Sequence, residues 1–199
     1  MVKQTAFTKV SIAGLNTVFL PNYLNIWQIH PIWNGSLWTV AISVFINTAW
    51  VKKSIVHQAV GKSIGGHTSK IHLAVDACGN PIEFMITAGN VNEIVVAPDL
   101  LAQLDLSDNE TVCADRGFDS DTFRRLIHSK QSKANIPYKK NREHLNVDTD
   151  WYLYKIRHLV ENAFARLKHF RALATRYDKL KRNYESTVSL ACALIWLKL

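Results

Sequence analysis

Arginine is missing from the first 115 residues of this 199-residue chain, and cysteine is scarce throughout. The three cysteines, Cys78, Cys113 and Cys192, stand far apart, and no pair has metal-ligand spacing. That excludes a cysteine zinc site and a disulfide framework, and it points to a reducing cytoplasm. Cys113 and Cys192 sit in apolar runs and read as small buried hydrophobes. Long apolar runs are lacking too. Leu37–Ile46 and Val188–Leu197 fall short of the roughly 20 residues a spanning helix needs, so no membrane partner is expected. The N-terminus shows no clear apolar core with a cleavage site, which argues against a secretory signal. Neither an internal repeat nor a low-complexity tract is visible. With 48% apolar and 20% charged residues, a disordered chain is excluded as well.

What is present is basic charge, unevenly placed. The formal net charge is +8. Residues 1–99 carry six lysines against four acids, whereas residues 100–199 carry eighteen basic residues against twelve acids. All nine arginines lie at or beyond Arg116, and Lys139–Arg182 alone holds twelve cations against five acids. Such a balance favours an anionic partner, of which nucleic acid is the commonest, and arginine suits bidentate phosphate contact. A solvated basic surface explains the charge alone equally well.

Local patterns set the order of elements. Residues 1–35 are broken by Pro21, Pro31 and Gly35 and support only short helical pieces. Thr39–Ile46 is a β-branched run that predicts a buried strand. Gly61–Ser69 reads as a loop. Lys70–Val75 and Ile82–Thr87 flank the turn Cys78-Gly-Asn-Pro81, which predicts a hairpin. Ala97–Leu106 has helical spacing, with Pro98 suited to a first turn. Thr111–Ala114 and Ala134–Pro137 predict short strands. Asp119 or Ser120 can cap a helix over Asp121–Ser129. Two helices, about 151–170 and 184–197, close the chain. Antiparallel strands first, then strands alternating with helices, predict an α/β fold: a mixed sheet covered by helices.

The helix over 151–170 carries two stripes. At about 100° per residue, Ile156, Leu159, Val160, Ala163, Phe164, Leu167 and Phe170 share one face. Tyr154, Arg157, Glu161 and Lys168 fall opposite, within roughly 60°. Read locally, the polar stripe is a solvated face laced by a pair such as Arg157 with Glu161. Asp115 adds a second reading. It follows the apolar run Val112–Ala114 and precedes a glycine turn, and a carboxylate just past a strand's C-terminal end is a common place for function. Magnesium is usually held by one or two carboxylates plus phosphate and water, and two such ions about 4 Å apart serve phosphoryl transfer.

The spacing Tyr154-x2-Arg157-x3-Glu161-x6-Lys168, with Ala114-Asp-Arg-Gly-Phe-Asp119 before it, resembles bacterial insertion-sequence transposases of the DDE class. Gly61-Lys-Ser with Gly65-Gly66, Lys70-Ile-His-Leu-Ala-Val-Asp76, Gly79-Asn-Pro81 and Ala174–Lys179 extend the likeness to about residues 42–199. The resemblance implies a ribonuclease-H-like mixed sheet flanked by helices, forming a catalytic domain over 41–199 behind a poorly defined, truncated region at 1–40. It also implies metal-dependent cleavage and transfer of double-stranded DNA at transposon ends and target, in the bacterial nucleoid, using two Mg²⁺ ions or Mn²⁺ in their place. A homo-oligomer in the DNA complex fits the same picture.

Position by position, Asp115 and Glu161 match the second and third acidic ligands. Arg157, Lys168, Tyr154 and, more weakly, Arg116 match DNA contacts. Asn47 stands where the first acidic ligand is expected. A neutral amide there lowers metal affinity and rate, so a DNA-binding remnant without catalysis is the alternative. Asp76 reads instead as a turn residue, and His57 and His72 as structural or surface histidines.

Overall fold

The computed structural model describes residues 37–48 as backbone, together with residues 58–63, 66–106, 110–142 and 146–197. The helical pieces expected within residues 1–35, and His57, lie outside these. The strands are β1 (Leu37–Thr48), β2 (Gly61–Ser63), β3 (Gly66–Val75), β4 (Pro81–Ala88), β5 (Thr111–Cys113), β6 (Lys133–Asn135) and β7 (Thr175–Arg176). The helices are α1 (Glu93–Gln103), α2 (Asp121–Ser129), α3 (Trp151–Lys155), α4 (His158–Lys168), α5 (Arg171–Ala174) and α6 (Lys181–Trp196).

Among the described residues, all seven strands join one mixed sheet, in the order β2-β3-β1-β5-β6, with β4 paired to β3 and β7 to β1. The β1–β3 and β3–β4 pairs are antiparallel, whereas β1–β5 and β5–β6 are parallel. The expected hairpin is therefore β3–β4. Its turn closes on Asp76, whose Oδ1 accepts from the backbone N–H of Cys78 and of Asn80, each at 2.8 Å. Gly79 there has φ +78°, a left-handed conformation that favours glycine. A Cβ at Gly79 would sit 3.3 Å from Leu159 Cβ, and Arg166 donates to the Gly79 carbonyl. The hairpin turn is thus docked directly on α4.

Period-two alternation along β3 splits the core between the sheet's two faces. Ile71, Leu73 and Val75 pack with Phe84, Ile86 and the buried residues of α4 and α6, while Ala74 joins Ile82, Val112 and the inner faces of α1 and α2. The apolar stripe expected on the 151–170 segment is realised over its centre, whereas Ile156, Leu159 and Phe170 are only half-buried. Val160, Ala163, Phe164 and Leu167 are buried, and each of the three larger ones contributes about 2 kcal/mol by leaving water.

The structure changes several boundaries. Residues 151–170 form two helices, not one. Around the joint the bonds run from residue to third predecessor: Ile156 to Leu153, Arg157 to Tyr154 and Leu159 to Ile156, at 2.9–3.1 Å. This is 3-10 geometry, wound tighter than an α-helix. It lets α3 follow its anchor on β6 while α4 follows the core. The last helix begins at Lys181 because Tyr184, fully buried, bonds the Leu173 carbonyl from within its first turn. The predicted loop Gly61–Ser69 supplies β2 and the start of β3. Helix α1 starts at Glu93 under an Asn92 cap, which leaves Pro98 in its interior and not in its first turn.

Candidate functional site

Strand β5 ends in the fully buried Val112 and Cys113, Ala114 just past it is fully buried too, and the next residue, Asp115, emerges exposed. Its Oδ1 accepts the Arg116 backbone N–H at 2.8 Å, which starts a 3-10 turn over Arg116–Phe118. Phe118 is buried against Phe123, with ring centroids 6.0 Å apart, and fixes the far side of that turn. Beyond it, Ser120 and not Asp119 caps α2, accepting from Phe123 N–H at 3.1 Å.

Asp119 has a different task, one that sequence reasoning missed. Its carboxylate is fully buried and pairs with Arg124 at 3.1 Å and Arg142 at 3.2 Å. It also accepts the Lys139 backbone N–H at 2.9 Å. Arg124 lies 4.1 Å from the Tyr138 ring centre, a cation–π contact. The loop after Asp115 is therefore clamped to the segment that follows β6.

Helix α3 brings the other partner. Tyr154 donates from its hydroxyl to Asp115 Oδ1 at 3.0 Å. Its ring meets Trp151 edge-on at 5.7 Å, and the Arg157 guanidinium lies 5.6 Å from the ring centre. Arg157 in turn donates to Glu161 Oε1 at 2.9 Å. Asp115, Tyr154, Arg157 and Glu161 thus form one continuous chain of contacts. Burial raises the Tyr154 phenol above its ordinary value; its hydrogen bond to Asp115 and that residue's charge add to the effect. Arg157 and Arg116 act the other way. At neutral pH the phenol remains a donor.

Two residues of the expected set stand apart. Lys168 is exposed at the end of α4, seven residues past Glu161 and so about 10 Å further along the helix. Asn47 pairs with Thr68 of β3 and Thr175 of β7, whereas β5 meets β1 at Leu37, Trp38 and Thr39. Extending that register by two residues sets Asp115 level with Ala41, which pairs with Leu73. From Leu73 to Thr68 is five residues of β3, or about 17 Å. The expected convergence of Asn47 with Asp115 is not what this register forms. Asp76 is engaged in its turn. His72 is buried and bonded to Thr87 Oγ1 at 2.8 Å.

Asp115 and Glu161, both exposed and flanked by Arg116 and Arg157, fit the protein's usual share of a magnesium site, one or two carboxylates completed by phosphate and water. Among the described residues no group of three or more His, Cys, Asp or Glu comes together, so an all-protein metal cage is not formed there. No helix among them is long and apolar enough to cross a membrane.

Comparison with known proteins follows the same line. The family model described as "Transposase DDE domain" matches residues 46–196. A Brucella ovis protein, "Putative transposase for insertion sequence element IS6501", is 39% identical over 132 residues, 66% of this chain and 99% of that protein. A Burkholderia cepacia protein, "Putative transposase for insertion sequence element IS402", is 31% identical over 136 residues, 64% of this chain and 62% of its own length. A chain of a simian T-cell lymphotropic virus intasome, solved with PP2A regulatory subunit B56 gamma, aligns at 14% identity and a TM-score of 0.45. That alignment covers 80% of this chain and 47% of the other, a likeness too distant to bear on the fold. The family match runs from near the end of β1 to the end of α6, and on that footing the chain belongs to the DDE-domain transposases.

Proposed function

We propose that this chain is a DNA transposase of ribonuclease-H-like fold that cuts an insertion element at its ends and transfers the freed 3′-hydroxyl to target DNA. The observation that carries the proposal is the contact chain from Asp115 through Tyr154 and Arg157 to Glu161, which joins the end of β5 to α4. The sheet supports the fold reading, with its antiparallel hairpin on one side of β1 and parallel β5 and β6 on the other.

Asp115 and Glu161 would hold Mg²⁺, or Mn²⁺ in its place. A bound ion there would supply positive charge for phosphoryl transfer. Arg157, shared between the Tyr154 ring and Glu161, keeps a cation beside the carboxylates for a DNA phosphate. Arg116 and Lys168 extend that positive surface at its two ends, and Tyr154 orients Asp115. Double-stranded DNA is the partner that the basic segment Lys139–Arg182 suits, through salt-sensitive phosphate contacts.

The test is nicking of DNA bearing the element's ends, with Mg²⁺ or Mn²⁺. Wild-type protein nicks and Glu161→Ala does not. Nicking that persists in Glu161→Ala would remove Glu161 from the centre.

One observation favours a second reading, a DNA-binding remnant that no longer cuts. Position 47 is an asparagine, which leaves Asp115 and Glu161 as two carboxylates where the class uses three acidic ligands. Duplex binding without nicking, in wild type and in Asn47→Asp alike, would establish that reading.

A further inference from the structure

Parallel pairing of β5 with β6 sets Asn135 beside Cys113, two residues before Asp115. Asn135 is buried, and its side-chain amide is spent almost wholly on one distant residue. Its Nδ2–H donates to the Asp150 carbonyl at 2.9 Å, and its Oδ1 accepts the Asp150 backbone N–H at 3.0 Å. A carboxamide that takes both backbone groups of another residue acts as an extra strand neighbour. The remaining Nδ2 contact, 3.4 Å to Cys113 Sγ, ties the same amide to β5. Cys113 itself donates to the Leu153 carbonyl at 3.8 Å.

Asp150 is the cap of α3. Its carboxylate Oδ1 accepts the N–H groups of Tyr152 and Leu153, at 2.9 and 3.0 Å. Its carbonyl, already bonded to Asn135, also accepts the backbone N–H of Tyr154 at 2.9 Å. The single acceptor that Asn135 holds in place is thus the one on which Tyr154 is hung. One helical turn separates Asp150 from Tyr154, too short a path to absorb displacement at its start. A shift of Asp150 would be carried to the Tyr154 hydroxyl and to its contact with Asp115.

We infer that Asn135 is a positioning residue for the Asp115–Glu161 centre, holding α3 so that Tyr154 meets Asp115 and Arg157 reaches Glu161. The inference rests on the metal-centre reading above, but the geometry it concerns can be measured without catalysis.

The experiment compares Asn135→Ala with wild type by three measurements: thermal unfolding, calorimetric titration with Mn²⁺, and crystal structures in which the separation of the Tyr154 hydroxyl from the Asp115 carboxylate is read. The expected result is a folded variant in which that pair is no longer within hydrogen-bonding distance. Its Mn²⁺ affinity is expected to fall about tenfold, as is typical when a group supporting a metal ligand is removed. A folded Asn135→Ala with the Tyr154–Asp115 contact intact and Mn²⁺ affinity within twofold overturns the role, even if its unfolding temperature drops. Should Asn135→Ala fail to fold, Asn135→Ser, which keeps a hydroxyl at the same place on β6, is measured the same way and read by the same outcomes. Wild-type protein that takes up no Mn²⁺ would sink the metal-centre reading instead, and the Tyr154–Asp115 separation alone then decides whether Asn135 positions Tyr154.

Discussion

The hydroxyl of Tyr154 and the carboxylate of Asp115 lie 3.0 Å apart across 39 residues of sequence, joining the first turns of α3 to the end of β5. The phenol donates and the carboxylate accepts. Asp115 Oδ1 also receives the Arg116 N–H, so one oxygen is held by two donors from different elements. If Asp115 holds a metal as proposed, an oxygen fixed in this way would enter binding with little orientational freedom left to lose.

Because burial and Asp115 raise the folded phenol above its unfolded value, the contact is complete below about pH 10 and is lost as pH rises through the folded midpoint. The ultraviolet difference between wild type and Tyr154→Phe is expected to place that midpoint above about 10. Asp115→Asn is expected to lower it, since the carboxylate's charge and its acceptor both favour the protonated phenol. A wild-type midpoint at or under 10 would refute the contact.

Asn47→Asp tests the register of β1. A carboxylate about 17 Å along the sheet lies beyond a Debye length of about 8–10 Å, so Mn²⁺ affinity should change by no more than about twofold. Calorimetry showing a tenfold tightening would put position 47 among the ligands and require a different pairing of β1.

Removing Asp119 strands two arginines and a backbone N–H. Arg124 and Arg142 keep some contact with water, so Asp119→Ala should cost about 3 kcal/mol, the low end for breaking a buried ion pair. For a chain of this length that lowers the unfolding temperature by roughly 6–12 °C. A melting curve within 2 °C of wild type would show that the clamp is energetically idle.

His72 gives the fold an acid-side sensitivity. Burial depresses it to about 4; Glu93 opposes and Lys70 assists that shift, while Thr87 holds one ring nitrogen. The folded state therefore binds fewer protons than the unfolded one. Its contribution is full above about pH 6.5 and is lost as pH falls toward 4, amounting to about 3 kcal/mol. Urea unfolding at pH 7 and pH 4.5 should show this slope in wild type and a shallower one in His72→Gln. Equal slopes would assign the acid sensitivity to other groups.

Much of this was legible locally. Period-two runs marked β3 and β4, a 3.6-residue period marked the buried face of α4, and the turn chemistry of Asp76 to Pro81 marked the hairpin. The stripe of Tyr154, Arg157 and Glu161 was visible as spacing, and the Arg157–Glu161 pair follows from i,i+4 geometry alone. The break between α3 and α4 was not visible, because no proline or glycine stands there. It arises from two anchors, Asp150 on β6 and the core side chains of α4, that do not lie on one straight axis.

Sequence by itself determined which residues could serve: period and charge put Asp115 past a strand and Glu161 on a polar stripe. Only the tertiary structure decided which of them meet. Asp115 joins Tyr154, Asn135 joins Asp150, Asp119 joins Lys139, and Asn47 is left further along the sheet. The reason is physical. Helix and strand periods follow from backbone geometry within a few residues, so local spacing reports them. A hydrogen bond across 15 or 39 residues depends on how whole elements pack and register, and no short stretch of chain carries that information.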